Sequence, residues 1–350
     1  MSAGLEVISP GLMTSVQDRG RVGYQALGIS VSGALDTDSF DIANVLVGNE
    51  SGNESGNEAG TGALEIRMLG PTLKVTADSV TVALAGTTTA IEVMAPEREV
   101  ISACRSVTLY KGQVFRVGAV SDSAVCYLAV HGGFHLPLIY GSQSTCMSAG
   151  FGGFHGRILE KEDCLPLRQP VSGSSSQRIL RRPPDPDNSP VVRVVTGPQD
   201  DYFSAAGIKT FFETGYTVSQ AVNRMGMRLE GAAVTHEKGY NIASDGIVRG
   251  AIQVPGNGLP IILMADCQTT GGYPKIATVI SSDMPKLGRM MPGADIGFKA
   301  VSVGEAEAAA RKRHERQAAL IGAIEHVSGS VEQLEHLLMT QNLISGVTAG

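Results

Sequence analysis

Forty-three of the 350 residues are glycine, scattered along the chain and not spaced in a collagen-like period. Glycine weakens helix interiors and supplies turns, bulges and places of close backbone approach. The sequence therefore favours many short strands over long helices. The apolar runs agree: between residues 64 and 130 they are short (VTVALAG, VTLY, QVFRVGAV, VCYLAV) and separated by Gly, Asp and Ser, the texture of strands. The second half repeats it in VVRVVTG, YTVS, MGMRLEG, IVRGAIQVPGNG, PIILMAD and KIATVI. Met225, Met227 and Leu229 alternate with Gly226, Arg228 and Glu230, the period of a half-buried strand.

Single hydrophobic cores stop growing at roughly 250 to 300 residues, so two domains are expected. The linker is read in RRPPDPDNSP, residues 181–190, where proline and charge concentrate. This gives an N-terminal half at 1–185, a second half at 191–303 and a helical extension at 304–350. In that extension GEAEAAARKRHERQAALIGAI and VEQLEHLLMTQNLI have helical spacing, with Val331, Leu334, Leu337 and Leu338 on one face. The basic stretch from Arg311 to Arg316, opposite Glu305 and Glu307, predicts a solvated helix face. One shorter helix is predicted from Asp36 to Gly48, capped by Asp36 or Thr37 and ended by Gly48. The tandem repeat NESG NESG NEAG at 49–60 reads as a polar surface loop.

A formal charge of −6 without a basic stripe argues against nucleic acid. No run of ~18 apolar residues and no signal-like start occur, so a cytoplasmic protein without a membrane partner is expected. The five cysteines (Cys104, Cys126, Cys146, Cys164, Cys267) form no C-x-x-C pair and are assigned neither metal nor disulfide. GFGGFHG at 150–156 lacks dinucleotide-loop spacing. His131 and His135 are four apart, but Gly132 and Gly133 speak against the helix that would make them joint metal ligands. P-loop, G-x-S-x-G and H-E-x-x-H motifs are missing, as is a biotin-bearing lysine flanked by methionines.

The densest polar cluster is Asp266-Cys267-Gln268-Thr269-Thr270-Gly271-Gly272-Tyr273-Pro274-Lys275, between the apolar runs PIILMA and IATVI. Asp266, Gln268 and Lys275 supply acceptor, amide and cation, and Gly271 and Gly272 would let a ligand touch backbone. A polar hairpin turn uses the same residue types. Upstream, Asn223 and Arg224 place an amide and a cation at a strand start, where arginine would grip a carboxylate or phosphate or simply face solvent. Ser244-Asp245-Gly246 and Gln253 add polar groups to the same half. Near the start, Gln17-Asp18-Arg19-Gly20-Arg21 and Ser32-Gly33-Ala34-Leu35-Asp36 would present amides and arginines to an anion, or close on themselves through an Asp18 salt bridge.

These motifs bear a resemblance. TSVQDRGRVGYQALGISVSGALD, IANVLVGN and ALEIRMLGPTLKV, followed by AVHGGF, GSQST, GGFHGRIL, VVTGPQDDYF, NRMGMRLEG, GAIQVPGNGLPIILMADCQTTGGYPKIATVISSDMPKL and MPGADIGF, resemble in order the carboxyltransferase-type proteins. That family includes the C-type subunit of 5-oxoprolinase and allophanate hydrolase subunit 2, and its fold segment occurs in urea carboxylase and urea amidolyase. The sequence departs from the family's usual pattern at Gln143, Arg289 and Ala294.

The resemblance implies a mainly β chain of two cyclophilin-like β-barrel domains. It also implies one of two reactions. The first is ATP-dependent opening of 5-oxoproline to glutamate with partners like the A-type and B-type subunits of 5-oxoprolinase, the ATP site being shared with a partner. The second is carboxyl transfer from biotin to urea or a similar acceptor. A regulatory binding protein without activity is a third reading. For the enzymatic readings Asp266 and Gln268 would bond the amide or lactam, while Arg224 and Lys275 stabilise developing anionic charge. Asn223, Gln253, Thr269, Thr270, Gly271, Gly272, Tyr273, Gln17, Arg19 and Asp36 would complete the binding surface. The absence of a fused biotin segment favours the oxoprolinase-like branch.

Overall fold

The computed structural model describes residues 3–49, 61–169, 177–184 and 189–327. The NESG repeat beyond Asn49 and the face of Val331, Leu334, Leu337 and Leu338 lie outside them. Strands dominate, as the short apolar runs predict. In the first half they form two antiparallel sheets. One runs in the order Cys164–Pro166, Gly4–Ser9, Thr72–Val75, Val114–Val117, Ile91–Ala95 and Glu99–Ile101. The other runs Met13–Gln17, Ala63–Arg67, Cys126–Val130, Ser79–Ala85 and Ser106–Tyr110. Leu5, Val7, Leu64, Ile66, Val82, Phe115 and Leu128 fill the space between them.

Residues 191–300 close a seven-stranded barrel in the order Val191–Thr196, Lys275–Val279, Ala251–Gln253, Ile261–Leu263, Gly226–Gly231, Tyr216–Val222 and Asp295–Ala300. Closure removes exposed sheet edges, and it is completed by a parallel pairing of the first strand with the last. Met227 and Leu229 point inward as their alternation predicts, whereas Met225 precedes the strand and is exposed.

Helix α1 (Thr37–Leu46) is capped by Asp36, whose Oδ1 accepts from the backbone of Asp38 and Ser39. Gly48 ends it at φ +86°. Helix α2 (Ala205–Glu213) inserts Phe211, stacked on Phe298 at 4.4 Å. Helix α3 (Met284–Arg289) follows the strand Lys275–Val279, and α4 (Val303–Gly322) opens with a Ser302–Glu305 capping box.

The solvated face expected for the basic stretch of α4 needs one correction. Arg313 turns inward and donates to Asp38 Oδ1 at 2.5 Å and to Thr37 Oγ1 at 2.6 Å, which fastens α4 to α1. Beyond α4, Glu325–Val327 returns to pair with Gln177–Ile179.

The two halves share a core. Phe40, Leu46, Ala83 and Tyr127 of the first pack in one cluster with Val192, Phe211, Met227, Ile252 and Met284 of the second. The outer face of the five-stranded sheet is thus the floor on which α1 and the barrel sit. Any polar group on that floor must find partners inside the protein.

Candidate functional site

Arg224 lies on this floor, 2% exposed, where an arginine at a strand start would otherwise face solvent. Its Nε and Nη2 donate to the two oxygens of Asp266, at 2.9 and 3.0 Å. Nη1 donates to Glu65 Oε1 of the first half, and Nη2 also reaches Gly33 O at 2.7 Å and Gln17 Oε1 at 3.3 Å. Glu65 in turn accepts from Leu35 N at 3.0 Å and from the Tyr127 hydroxyl at 2.7 Å. Tyr127 receives Asp36 N at 2.9 Å. Gln17 donates onward to Ser15 and Thr145. Burial opposes charge on the Arg224 guanidinium, but the Glu65 and Asp266 carboxylates outweigh it and hold the group in its charged form. Burial and the Glu65 charge together push the Tyr127 phenol well above its ordinary value, so it stays a donor.

Lys275 is placed elsewhere. The strand Ala251–Gln253 pairs Gln253 with both Lys275 and Ile261, while Leu263, at the far end of its strand, pairs with Gly226 beside Arg224. Asp266 and Lys275 therefore occupy opposite ends of the barrel wall, and the polar run between them is the path from one end to the other. At its own end Lys275 Nζ donates to Asp245 Oδ2 at 2.6 Å and to Gly246 O at 3.0 Å. Gln199 bridges the pair, accepting from Lys275 N and donating to Asp245 Oδ2 at 3.2 Å. The Lys275 side chain is 4% exposed and that of Asp245 54%, so a buried ammonium sits behind a carboxylate that faces solvent. The bond from Lys275 holds the Asp245 carboxyl below its ordinary range.

The rest of the loop is a ladder. Asp245–Gly246 pairs with Thr270–Gly271, Ile247 N donates to Thr269 O, and Ile242 N donates to Gly272 O. A Cβ on Gly271 would come within 2.6 Å of Gln253 Nε2 and 2.4 Å of Ile247 Cδ1, so the close backbone approach read at this glycine is made by the protein itself. Gln253 is buried and donates to Tyr273 O at 3.4 Å, while the Tyr273 ring and the Gln268 side chain are exposed. Asn223 accepts from Met225 N and Gly226 N and so shapes the turn behind Arg224.

Of the early residues, Gln17 joins the Arg224 network directly, and Asp36 joins it through its backbone. Arg19 pairs with Asp41 at 2.7 Å. Asp18 does not bridge to an arginine. It accepts from Gly20 N, Gln143 N and the hydroxyls of Ser142 and Ser144. Gln143 is wholly buried, donating to Phe134 O and Leu136 O and accepting from Gly62 N. Sequence reasoning missed Glu65, Tyr127 and Gln199. A carboxylate inside the otherwise apolar run ALEIR was the available signal for Glu65.

The arrangement thus contains a fully partnered cation at the interface between halves and a second, buried cation at the other end of the barrel wall, behind the exposed Asp245 carboxylate. Comparison with known proteins adds to this geometry. Residues 27–300 match the family model described as carboxyltransferase domain, subdomain A and B. The C subunit of 5-oxoprolinase from Escherichia coli (strain K12) is 35% identical over 302 residues, 86% of this chain and 93% of that protein. That of Haemophilus influenzae is 32% identical over 312 residues, 88% of this chain and 94% of that one. The crystal structure of the Kluyveromyces lactis urea carboxylase superposes with a TM-score of 0.80 at 28% identity. It covers 93% of this chain, which spans only 30% of the length of that one.

Proposed function

The chain belongs to the carboxyltransferase domain family, and from that premise we propose that it is a C-type subunit of a heteromeric, ATP-dependent 5-oxoprolinase. In this reading it opens 5-oxoproline to glutamate together with A-type and B-type partner subunits. The observation that carries it is the near end-to-end match, covering 93% of the relative's length, to a protein named as the C subunit of 5-oxoprolinase.

Lactam opening driven by ATP passes the terminal phosphoryl group to the lactam oxygen. ADP leaves, water adds to the ring carbon, the C–N bond breaks as the ring nitrogen takes a proton, and a second water hydrolyses the resulting acyl phosphate to glutamate and phosphate. Negative charge develops on oxygen throughout, so a preorganised cation lowers the barrier. Lys275 is the cation suited to this: its carboxylate partner is half exposed, and the ammonium retains a third N–H beyond its bonds to Asp245 and Gly246. Gln253 and Gln199 flank it, and Thr270 and Tyr273 supply an accessible rim.

Arg224 and Asp266 take a different part from the one their residue types suggest. A substrate at Arg224 would have to displace Asp266 or Glu65 from a buried pair. We assign both residues to positioning, holding the barrel against the first half. ATP would bind at a site shared with a partner chain.

The second reading, carboxyl transfer within a biotin-dependent carboxylase, is supported by the likeness to the Kluyveromyces lactis urea carboxylase. Purification of the tagged chain from its host, with its companions identified by mass spectrometry, separates the two. The proposal expects oxoprolinase-like subunits and 5-oxoproline-dependent ATP hydrolysis by the reassembled complex. A biotinylated companion, with no such hydrolysis, would replace it by the second reading.

A further inference from the structure

A cleft of about 870 Å³ opens between α1, α3 and α4, away from the Lys275 end of the barrel, and four guanidinium groups line it: Arg193, Arg289, Arg313 and Arg316. Two are committed. Arg193 grips Asp283 with two bonds, Nε to Oδ2 at 3.1 Å and Nη2 to Oδ1 at 2.5 Å, and Arg313 is bonded to Asp38 at 2.5 Å. Arg316 stands at the rim, its side chain 64% exposed and 3.9 Å from Asp38. Arg289 is different. Its one carboxylate neighbour among the described residues is Asp36, with Nε 3.9 Å from Oδ2, beyond hydrogen-bond reach.

Asp36 cannot close that gap without uncapping α1, because its oxygens already accept from Asp38 N, Ser39 N and the Ser39 hydroxyl. The Arg289 side chain is 23% exposed, enough to meet a ligand and too little to be freely solvated. Apolar surface from Ile42, Met290 and Leu320 lies in the same cleft. A cleft of this size with mixed lining is of the kind that encloses small molecules, typically about 300–1,000 Å³.

We propose that this cleft binds a small organic monoanion, its carboxylate taken by the guanidinium fork of Arg289 and its apolar body laid against Ile42, Met290 and Leu320. A planar fork suits a carboxylate bidentately. The lining also holds Lys286, whose Nζ donates to Val191 O at 2.9 Å, and the exposed Lys312, set against the carboxylates of Asp36, Asp38, Asp122, Asp283 and Asp295. With that many acids in the lining, the inward-facing guanidinium of Arg289, which has no bonded carboxylate among the described residues, matches a single negative charge and not a polyphosphate. The site is distinct from the Lys275 corner and does not depend on the reaction proposed there.

Isothermal titration of the full chain with benzoate, benzamide and phenyl phosphate tests this. Benzoate should bind at least 10-fold more tightly than the neutral benzamide, and Arg289→Gln should weaken benzoate at least 10-fold while leaving benzamide unchanged. The comparison of benzoate with benzamide needs no variant, so it holds even if Arg289→Gln folds poorly. Equal binding of the two, no binding of benzoate, or benzoate binding within 2-fold of the parent in a folded Arg289→Gln would overturn the proposal. Phenyl phosphate binding more than 10-fold tighter than benzoate would overturn the assignment to a carboxylate.

Discussion

Glu65 and Arg224 stand 159 positions apart in the chain, one in each half, and meet as a salt bridge in which both side chains are at most 2% exposed. Breaking a buried pair by removing one partner leaves a charge without compensation, typically costing about 3–5 kcal/mol. Glu65→Ala should therefore lower stability by about that amount, and it also strands the Leu35 amide and the Tyr127 hydroxyl. Because the pair joins the halves, urea unfolding followed by a probe in each half should split into two transitions in the variant. A single coincident transition of unchanged midpoint would show that the pair contributes nothing to holding the halves together.

Lys275 should behave in the opposite way. Its carboxylate partner Asp245 is 54% exposed and stays hydrated once the ammonium is gone, so Lys275→Met should leave the unfolding midpoint near the parent's, while lost electrostatic stabilisation lowers turnover of the assembled complex ~100-fold. Asp245→Asn keeps the ammonium and should reduce turnover by roughly 10-fold or less. Steady-state rates for the two variants check the order. Turnover of Lys275→Met within a few-fold of the parent would remove Lys275 from the reaction.

Why the sequence separated these roles poorly is visible at residues 266–275. Ten contiguous polar and small residues look like one site, but strand register decides where each ends up, and register is a property of the partners. Leu263 pairs with Gly226 and Lys275 with Gln253, so the run crosses the barrel wall. Elements defined by local chemistry were legible: the Asp36 cap, the Gly48 stop, the alternation at Met227 and Leu229, and helix α4. Glu65 was hidden because a strand buried on both faces shows no alternation, and its partner lies in the other half. Arg313 was hidden for the same reason, since a charge run on a helix carries no sign of the acid that meets it on α1.

Gly152 fixes the loop that holds Arg21. Its φ is +75°, and a Cβ there would lie 2.1 Å from Ser144 O, the carbonyl that accepts from Arg21 Nη2. Gly152→Ala combines backbone strain with a backbone clash and should cost roughly 2–4 kcal/mol. Gly141 has nearly the same φ, +74°, with nothing within 4 Å of its Cβ position. Gly141→Ala should then cost only about 1 kcal/mol. Equal losses in denaturant midpoint would mean that the loop around Ser144 yields easily.

Asp41 gives the chain a pH dependence of defined sign. It sits on α1 against Arg19, with Asp36, Asp38 and Arg313 as its other charged neighbours, and burial pushes its carboxyl up to about 7 in spite of the Arg19 charge. Between its ordinary value of 3.8 and about 7 the folded chain holds a proton that the unfolded chain has lost. Its contribution to stability is thus complete below about pH 4 and is lost as pH rises through about 7. Asp41→Asn keeps the shape and removes the titration. The stability of the parent relative to this variant should fall by on the order of 1 kcal/mol per pH unit between about pH 4 and 7, then level off. Urea titrations of both proteins across that window check it. Parallel profiles would mean that Arg19 keeps Asp41 ionised and that burial is the weaker influence.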